Sequence, residues 1–179
     1  NVRSWRAGIR CIKKRKEWEG MKEQKIAVIG FGMWGKNIVR NFYNLNVLEI
    51  VCDLDEESHK IIQEQFPGVK VTKDFNDIIN DPTITGVAVV TPSHTHFRIV
   101  KAMLEAGKNV YVEKPISTVA EEARVLTQLA DEKGLILMVG HLLLYHPAVN
   151  RLKMLIEEGT LGELVYAQSD RLNVNYHKN

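Results

Sequence analysis

"KIAVIGFGMWG", residues 25–35, sets the architecture of the chain. A short apolar run containing Ile26, Val28 and Ile29 leads straight into Gly30, Gly32 and Gly35, which have G-x-G-x-x-G spacing. A strand, a glycine turn and a helix in that order open a dinucleotide-binding unit. Gly30 allows the tight turn, Gly32 lets the backbone approach a pyrophosphate, and Gly35 lets helix and strand pack closely. The phosphates would rest on the N–H groups at the helix start, beside Met33 and Trp34. Trp34 either braces that loop or simply packs, and packing is the favoured reading. The alternative for the whole motif is a turn that holds no ligand. The alternating array of strands and helices downstream of Gly35 argues against that alternative.

Beyond this stretch, short β-branched runs alternate with longer segments of helical period, the pattern of a parallel sheet covered by helices. Strands are predicted at 25–29, 47–52, 69–72, 86–90, 109–113 and 135–139, and helices near 33–44, 55–65, 75–80, 95–106 and 118–133. Thr118 and Glu121 have capping-box spacing, and Gly134 falls where the fifth helix should stop. The fold class is therefore α/β, a Rossmann-type doubly wound parallel sheet. After Gly140 the rhythm changes. A helix is predicted from about Pro147 to Glu158, then "LVYAQSDRLNVNY" (164–176) alternates as a strand. A strand needs partners, so we expect a second α/β domain with an antiparallel sheet, of which this chain carries only the start. The expected organisation is a basic extension at 1–20 outside the fold, a NAD-binding domain at 21–146, and a linking helix with the first strand of an incomplete substrate domain at 147–179.

The chain has 179 residues, 45% hydrophobic and 26% charged, enough to bury a core. Its net charge of +2 is uneven, because residues 1–20 hold seven Lys and Arg against two Glu. That leaves the remainder slightly acidic and gives no nucleic-acid footprint. The basic start reads as a translated leader or cloning extension ahead of Met21, or else as a targeting or anion-binding arm. Cys11 and Cys52 make no disulfide framework, and no apolar run is long enough to cross a bilayer. A cytoplasmic protein without membrane or nucleic-acid partners is expected.

Three further stretches carry chemistry. Asp53 ends the second predicted strand, where an acidic side chain would accept hydrogen bonds from the adenosine ribose and repel a 2′-phosphate, favouring NAD over NADP. Asp55, by contrast, reads as a helix cap. "TPSHTH" (91–96) follows the fourth strand at the same sheet edge as the glycine turn, so Thr91, Pro92, His94 and His96 would wall the dinucleotide. Two His at i and i+2 also suggest a metal, but further ligands at suitable spacing are missing, and no metal is expected. "NVYVEKPIS" (109–117) delivers Glu113, Lys114 and Pro115 to that edge as well, where Glu113 and Lys114 would contact the cofactor. Beside an oxidised nicotinamide, desolvation and the cationic ring would both ease proton loss from Lys114, which suits acid–base exchange, while Glu113 could pair with it. The plain alternative is a surface Lys–Glu pair.

In order, "GFGMWG", "TPSHTH", "EKP" and "GHLLLYHPAV" resemble the Gfo/Idh/MocA oxidoreductases over residues 24 to about 175. The resemblance implies a Rossmann domain followed by a substrate-binding domain that also mediates oligomerisation. It implies an NAD(P)-dependent dehydrogenase acting on a sugar, inositol or sugar nucleotide. Lys114 would be the catalytic residue and touch the substrate hydroxyl, the Lys114–Pro115 bond could be cis, and His96 would lie near the cofactor. His141, Tyr145, Arg171 and Asn173 would line the substrate side. The "GH…YHPAV" stretch with "RLN" (171–173) looks most like the branch that oxidises C3 of a UDP-N-acetylhexosamine or its uronic acid. Ser93 stands where the family often has Asn, and Leu144 where many members have Arg. The family's downstream His is not reached, and His177 lies in no recognisable motif. Rival readings are a non-catalytic dinucleotide-binding module or sensor, a myo-inositol or other sugar dehydrogenase of the same family, and a methyltransferase, which would leave "EKP" without a role.

Overall fold

The computed structural model describes residues 24–170. Six strands, β1 (Lys25–Ile29), β2 (Leu48–Cys52), β3 (Lys70–Thr72), β4 (Ile84–Val89), β5 (Asn109–Val112) and β6 (Leu137–Val139), form one sheet in the order β3-β2-β1-β4-β5-β6. Every pairing is parallel. The helices between them are α1 (Gly35–Asn44), α2 (Glu56–Gln65), α3 (Asn76–Asn80), α4 (His96–Glu105) and α5 (Ala120–Lys133).

Strand alternation divides the core between the two faces of the sheet. Ala27 and Ile29, Ile50 and Cys52, Val87 and Val89, and Val110 and Val112 pack with α3, α4 and α5, chiefly through Ile78, Ile99, Met103, Leu104 and Leu126. Val28, Val51 and Ala88, one residue out of phase, pack with Val39 of α1 and Ile62 of α2. Each Val, Ile, Leu or Met side chain among them contributes about 1.5–3 kcal/mol when fully buried. A sheet buried on both faces explains why its strands are apolar runs with little polar alternation. The doubly wound α/β reading therefore holds.

Several boundaries differ from the prediction by one or two residues, and two of them have local reasons. β4 begins at Ile84, two residues before Gly86, where the strand was expected to start. Gly86 instead sits inside the strand, where a Cβ would come 3.0 Å from the Ile26 side chain. α5 begins at Ala120, and its N-cap is Val119, which makes no side-chain cap, so the capping box expected of Thr118 and Glu121 does not form. Ser117 Oγ accepts the Val119 N–H at 3.0 Å and also bonds the Glu122 carboxylate. Gly134 closes that helix in the left-handed region, φ 64°, as expected.

Contacts divide the described chain into two units between Gly140 and His141. The second unit holds a 3₁₀ turn (Leu142–Tyr145) and α6 (Pro147–Glu157). Pro147 fills the first helical position, and His146 Nδ1 accepts the Ala148 N–H at 3.2 Å, a cap not foreseen from sequence. Residues 164–170 form no strand, contrary to expectation. An extended segment becomes a strand by pairing its backbone, and among the described residues nothing pairs with this one. The rest of the expected strand lies outside the described residues.

Candidate functional site

In this strand order the crevice of a doubly wound sheet opens between β1 and β4, where the connections diverge to opposite faces. The glycine turn after β1 and the loop after β4 meet there. Val90 N–H donates to Ile29 O at 2.8 Å, and Gly30 N–H donates to Cys52 O at 2.8 Å. Gly30 has φ 101°, and a Cβ on it would lie 2.7 Å from Val90 O. A Cβ on Gly35 would lie 2.2 Å from Gly30 O, so only glycine lets α1 start this close to the turn. Gly32 differs from both. A Cβ there meets nothing within 4 Å, so no packing demand accounts for it.

The residue between the first two glycines escaped the sequence reading. Phe31 turns into the core, edge-on to Phe66 with centroids 6.5 Å apart. Its N–H donates to Asp53 Oδ2 at 2.6 Å. Asp53 thus braces the turn, and its Oδ1 accepts the Asp55 N–H at 2.9 Å. Asp55 caps α2 through the N–H groups of Glu57 and Ser58, and its bonds to Ser58 hold its carboxyl below the usual range. Met33 and Trp34 stand exposed at the start of α1, Trp34 by 49%, so Trp34 is not a core residue. Lys36, one residue beyond Gly35, sits 5.7 Å over the Phe31 ring, which puts a cation beside the turn. Its signal was only its place in the first helical turn.

After β4, Thr91 Oγ1 bonds Thr95 Oγ1 at 2.6 Å, while Pro92 and His94 are exposed on a 3₁₀ turn. His96 points elsewhere. It is buried at the start of α4, with Nε2 2.7 Å from Thr91 O and Nδ1 2.7 Å from Pro115 O. It ties the loop after β4 to the turn after β5. Among the described residues no group of three His, Cys, Asp or Glu side chains could hold a metal ion.

Lys114 follows β5 at the same edge, exposed, and joined to Pro115 by a cis peptide bond. Its ammonium has no hydrogen bond or ion pair among the described residues. The expected Glu113–Lys114 pairing is absent, because the Glu113 carboxylate turns inward. Oε1 accepts the Tyr111 hydroxyl at 2.6 Å and Oε2 accepts the Lys114 backbone N–H at 3.2 Å. Burial, then the Glu113 carboxylate, push the Tyr111 phenol above its ordinary value, so it keeps its proton and donates. Glycine turn, Asp53, the Thr91 loop and the Lys114 turn are thus brought to one edge of the first unit. His141 and Tyr145 belong to the second unit, and Arg171 and Asn173 lie outside the described residues. Among the described residues no helix is long and apolar enough to cross a membrane.

Residues 24–141 match the Gfo/Idh/MocA oxidoreductase family, described by its NAD-binding Rossmann fold. The chain is 33% identical over 144 residues to scyllo-inositol 2-dehydrogenase (NADP(+)) IolW of Bacillus subtilis, covering 78% of this chain and 39% of that protein. It is 32% identical over 152 residues to the inositol 2-dehydrogenase of Rhodococcus jostii, covering 83% of this chain and 42% of that protein. The crystal structure of scyllo-inositol dehydrogenase from Lactobacillus casei, with bound NAD(H) and scyllo-inositol, superposes with a TM-score of 0.73 at 25% identity, covering 79% of this chain and 43% of that one. The chain thus spans about two fifths of the length of the proteins it matches. Because that match begins at Gln24, runs through the glycine turn, the Thr91 loop and the Lys114 turn, and takes in the whole six-stranded sheet, the chain belongs to the Gfo/Idh/MocA oxidoreductase family.

Proposed function

We propose that this protein is an NAD-dependent dehydrogenase that oxidises a secondary ring hydroxyl of a cyclitol or sugar. The observation that carries the reading is Lys114, whose ammonium stands unclaimed at the sheet edge that also carries the glycine turn. When bound, NAD accepts the hydride from the ring carbon. The chain's own part is to seat the pyrophosphate at Gly30, Gly32 and Gly35, to present Asp53 to the adenosine ribose, and to relay the hydroxyl proton at Lys114 Nζ once that ammonium has given a proton to a partner base. The carbinol would become a ketone, its hydroxyl proton passing to the Lys114 amine, whose own proton would go to a partner base supplied elsewhere in the whole protein. Thr91, Pro92 and His94 wall the dinucleotide, beside Met33 and Trp34.

The two curated relatives are named for inositols, not for UDP sugars, and they move the substrate reading towards the cyclitol alternative. The sugar-nucleotide reading rests on the 140–149 stretch and on Arg171 and Asn173 alone. The preference for NAD rests on the Asp53 charge, and the Bacillus subtilis relative is named for NADP(+). A homo-oligomeric cytoplasmic enzyme, with substrate contacts from His141 and Tyr145, belongs to the same proposal by resemblance to the family. So does a substrate domain beginning near Pro147 after a cofactor domain at 21–146.

The experiment is to offer the full-length protein NAD and NADP with myo-inositol, scyllo-inositol and a UDP-N-acetylhexosamine, following the absorbance of the reduced nicotinamide. Turnover of a cyclitol with NAD is expected. Tight NADH binding with no turnover of any of them would instead establish the non-catalytic binding module. Binding of S-adenosylmethionine but not NADH would sink the dehydrogenase reading entirely.

A further inference from the structure

Two side chains underneath Lys114 have no part in the proton and hydride chemistry, yet they are built around its backbone. Glu113 is only 8% exposed, and no cation pairs with its carboxylate among the described residues. A buried carboxylate without a counter-ion is costly unless hydrogen bonds satisfy it. Here the Tyr111 hydroxyl serves one oxygen at 2.6 Å and the Lys114 N–H the other at 3.2 Å. The Glu113 N–H is itself fixed on Val89 O at 2.9 Å.

The space for this pair is kept open by Gly140. Its N–H donates to Val112 O at 2.9 Å, which sets it beside Glu113 at the end of the β5–β6 ladder. A Cβ on Gly140 would come 2.5 Å from the Tyr111 hydroxyl and 3.0 Å from Glu113 Oε1. On the far side of the turn, His96 Nδ1 meets Pro115 O at 2.7 Å. The Lys114–Pro115 unit is therefore gripped at its N–H and at its C=O, and the ammonium alone is left free.

We propose that Tyr111 and Glu113 are positioning residues, which hold the Lys114 backbone from inside the sheet. The proposal rests on the reading of Lys114 as the proton-handling group. It gives Glu113, expected from sequence to contact the cofactor, a role within the protein, since each of its oxygens accepts a hydrogen bond there. A flexible lysine side chain can be aimed only through its backbone, and a misplacement of about 1 Å can cost up to 10²-fold in rate.

The test uses the full-length protein and measures deuterium exchange at the Lys114 amide together with steady-state kinetics. Tyr111→Phe should speed that exchange about ten-fold, because the Glu113 carboxylate is no longer held in place. It should also lower kcat about ten-fold, with the Kd for NADH within about two-fold of the parent. Gly140→Ala should do the same by crowding the pair, and its effect on exchange should shrink in the Gly140→Ala/Tyr111→Phe double variant, where the hydroxyl no longer blocks the new methyl. Exchange that stays slow in both Tyr111→Phe and Glu113→Ala overturns the proposal, whatever happens to turnover. Faster exchange with unchanged kcat overturns the positioning role. If the parent turns over no cyclitol or sugar, the functional reading fails, and the exchange measurement still decides the tether.

Discussion

Two lysines flank the same strand, and their fates are opposite. Lys108 precedes β5 at the amino edge of the sheet and is 5% exposed, its ammonium donating to Asp81 O at 2.6 Å and Ile84 O at 3.0 Å. Lys114 follows β5 at the carboxyl edge, exposed and unpaired among the described residues. Burial lowers the pKa of Lys108, against the upward pull of the Asp81 carboxylate. One cation is turned inward onto backbone carbonyls. The other is held out, while uncharged and acidic neighbours grip its backbone. In a parallel sheet the carboxyl edge is where ligands bind, and the contrast shows what that means for side chains: the amino edge satisfies its polar groups internally, and the carboxyl edge leaves some unsatisfied.

A pair of substitutions puts this contrast at risk. Lys114→Met in the full-length protein should lower kcat by about 10²–10⁴, the usual yield of a positioned acid or base, with NADH affinity and melting temperature unmoved. Lys108→Met should do the reverse. It removes two hydrogen bonds to backbone carbonyls, one of them on buried Ile84, and should cost about 1–3 kcal/mol by denaturant unfolding while leaving kcat of the folded protein unchanged. If Lys114→Met lowered stability and left turnover intact, the two edges would have exchanged roles and the proposed mechanism would go with them.

Most of this contrast was legible at the level of strands and turns and illegible at the level of partners. The apolar runs "KIAVI" and "NVYVE" cannot be missed, because a sheet buried on both faces needs β-branched stretches. Gly30 and Gly35 were readable because steric demand leaves glycine alone at those points. The pairing of Tyr111, Glu113 and Gly140 was not, since it exists only once β5 and β6 are in register. The Asp53 brace on Phe31 N–H spans 22 residues and has no local signature. The capping box read at Thr118 and Glu121 did not form, because the chain enters α5 through Val119, while Ser117 Oγ holds the Val119 N–H ahead of the helix. The segment at 164–170 alternates like a strand, but alternation prescribes a face and does not supply a neighbour.

Asp53 carries the contrast to the cofactor end of the same edge, with a smaller effect. Its carboxylate already holds Phe31 and Asp55, and in the proposed enzyme it accepts from a ribose as well. Asp53→Asn keeps the volume and removes the charge that would repel a 2′-phosphate. The Kd ratio for NADP against NAD should move towards NADP by roughly ten-fold, about 1.4 kcal/mol. An unchanged ratio would leave Asp53 as a brace for the glycine turn and nothing more.

Cys52 provides the smallest effect and the tightest limit on the rule. It ends β2 at the carboxyl edge, one residue before Asp53, so position alone would make it a reactive group facing a ligand. Its side chain, however, falls on the face covered by α3, α4 and α5, and is 4% exposed. Burial first, and then the charges of Asp53, Asp74 and Asp77, push the thiol up to about 12. The thiolate is the nucleophile, so at neutral pH the folded protein holds Cys52 inert. Mass spectrometry of the Cys52 peptide after brief iodoacetamide treatment should find it unmodified in the native protein and alkylated once unfolded. Because the folded value is raised, the stability linked to this thiol is fully present below the unfolded value near 9 and is lost as pH climbs from there towards 12. Cys52→Ala should flatten that alkaline decline. Rapid alkylation of the native thiol would show that nearness to the carboxyl edge, and not the face on which a side chain falls, decides availability, and Lys114 would then lose its distinction from its neighbours.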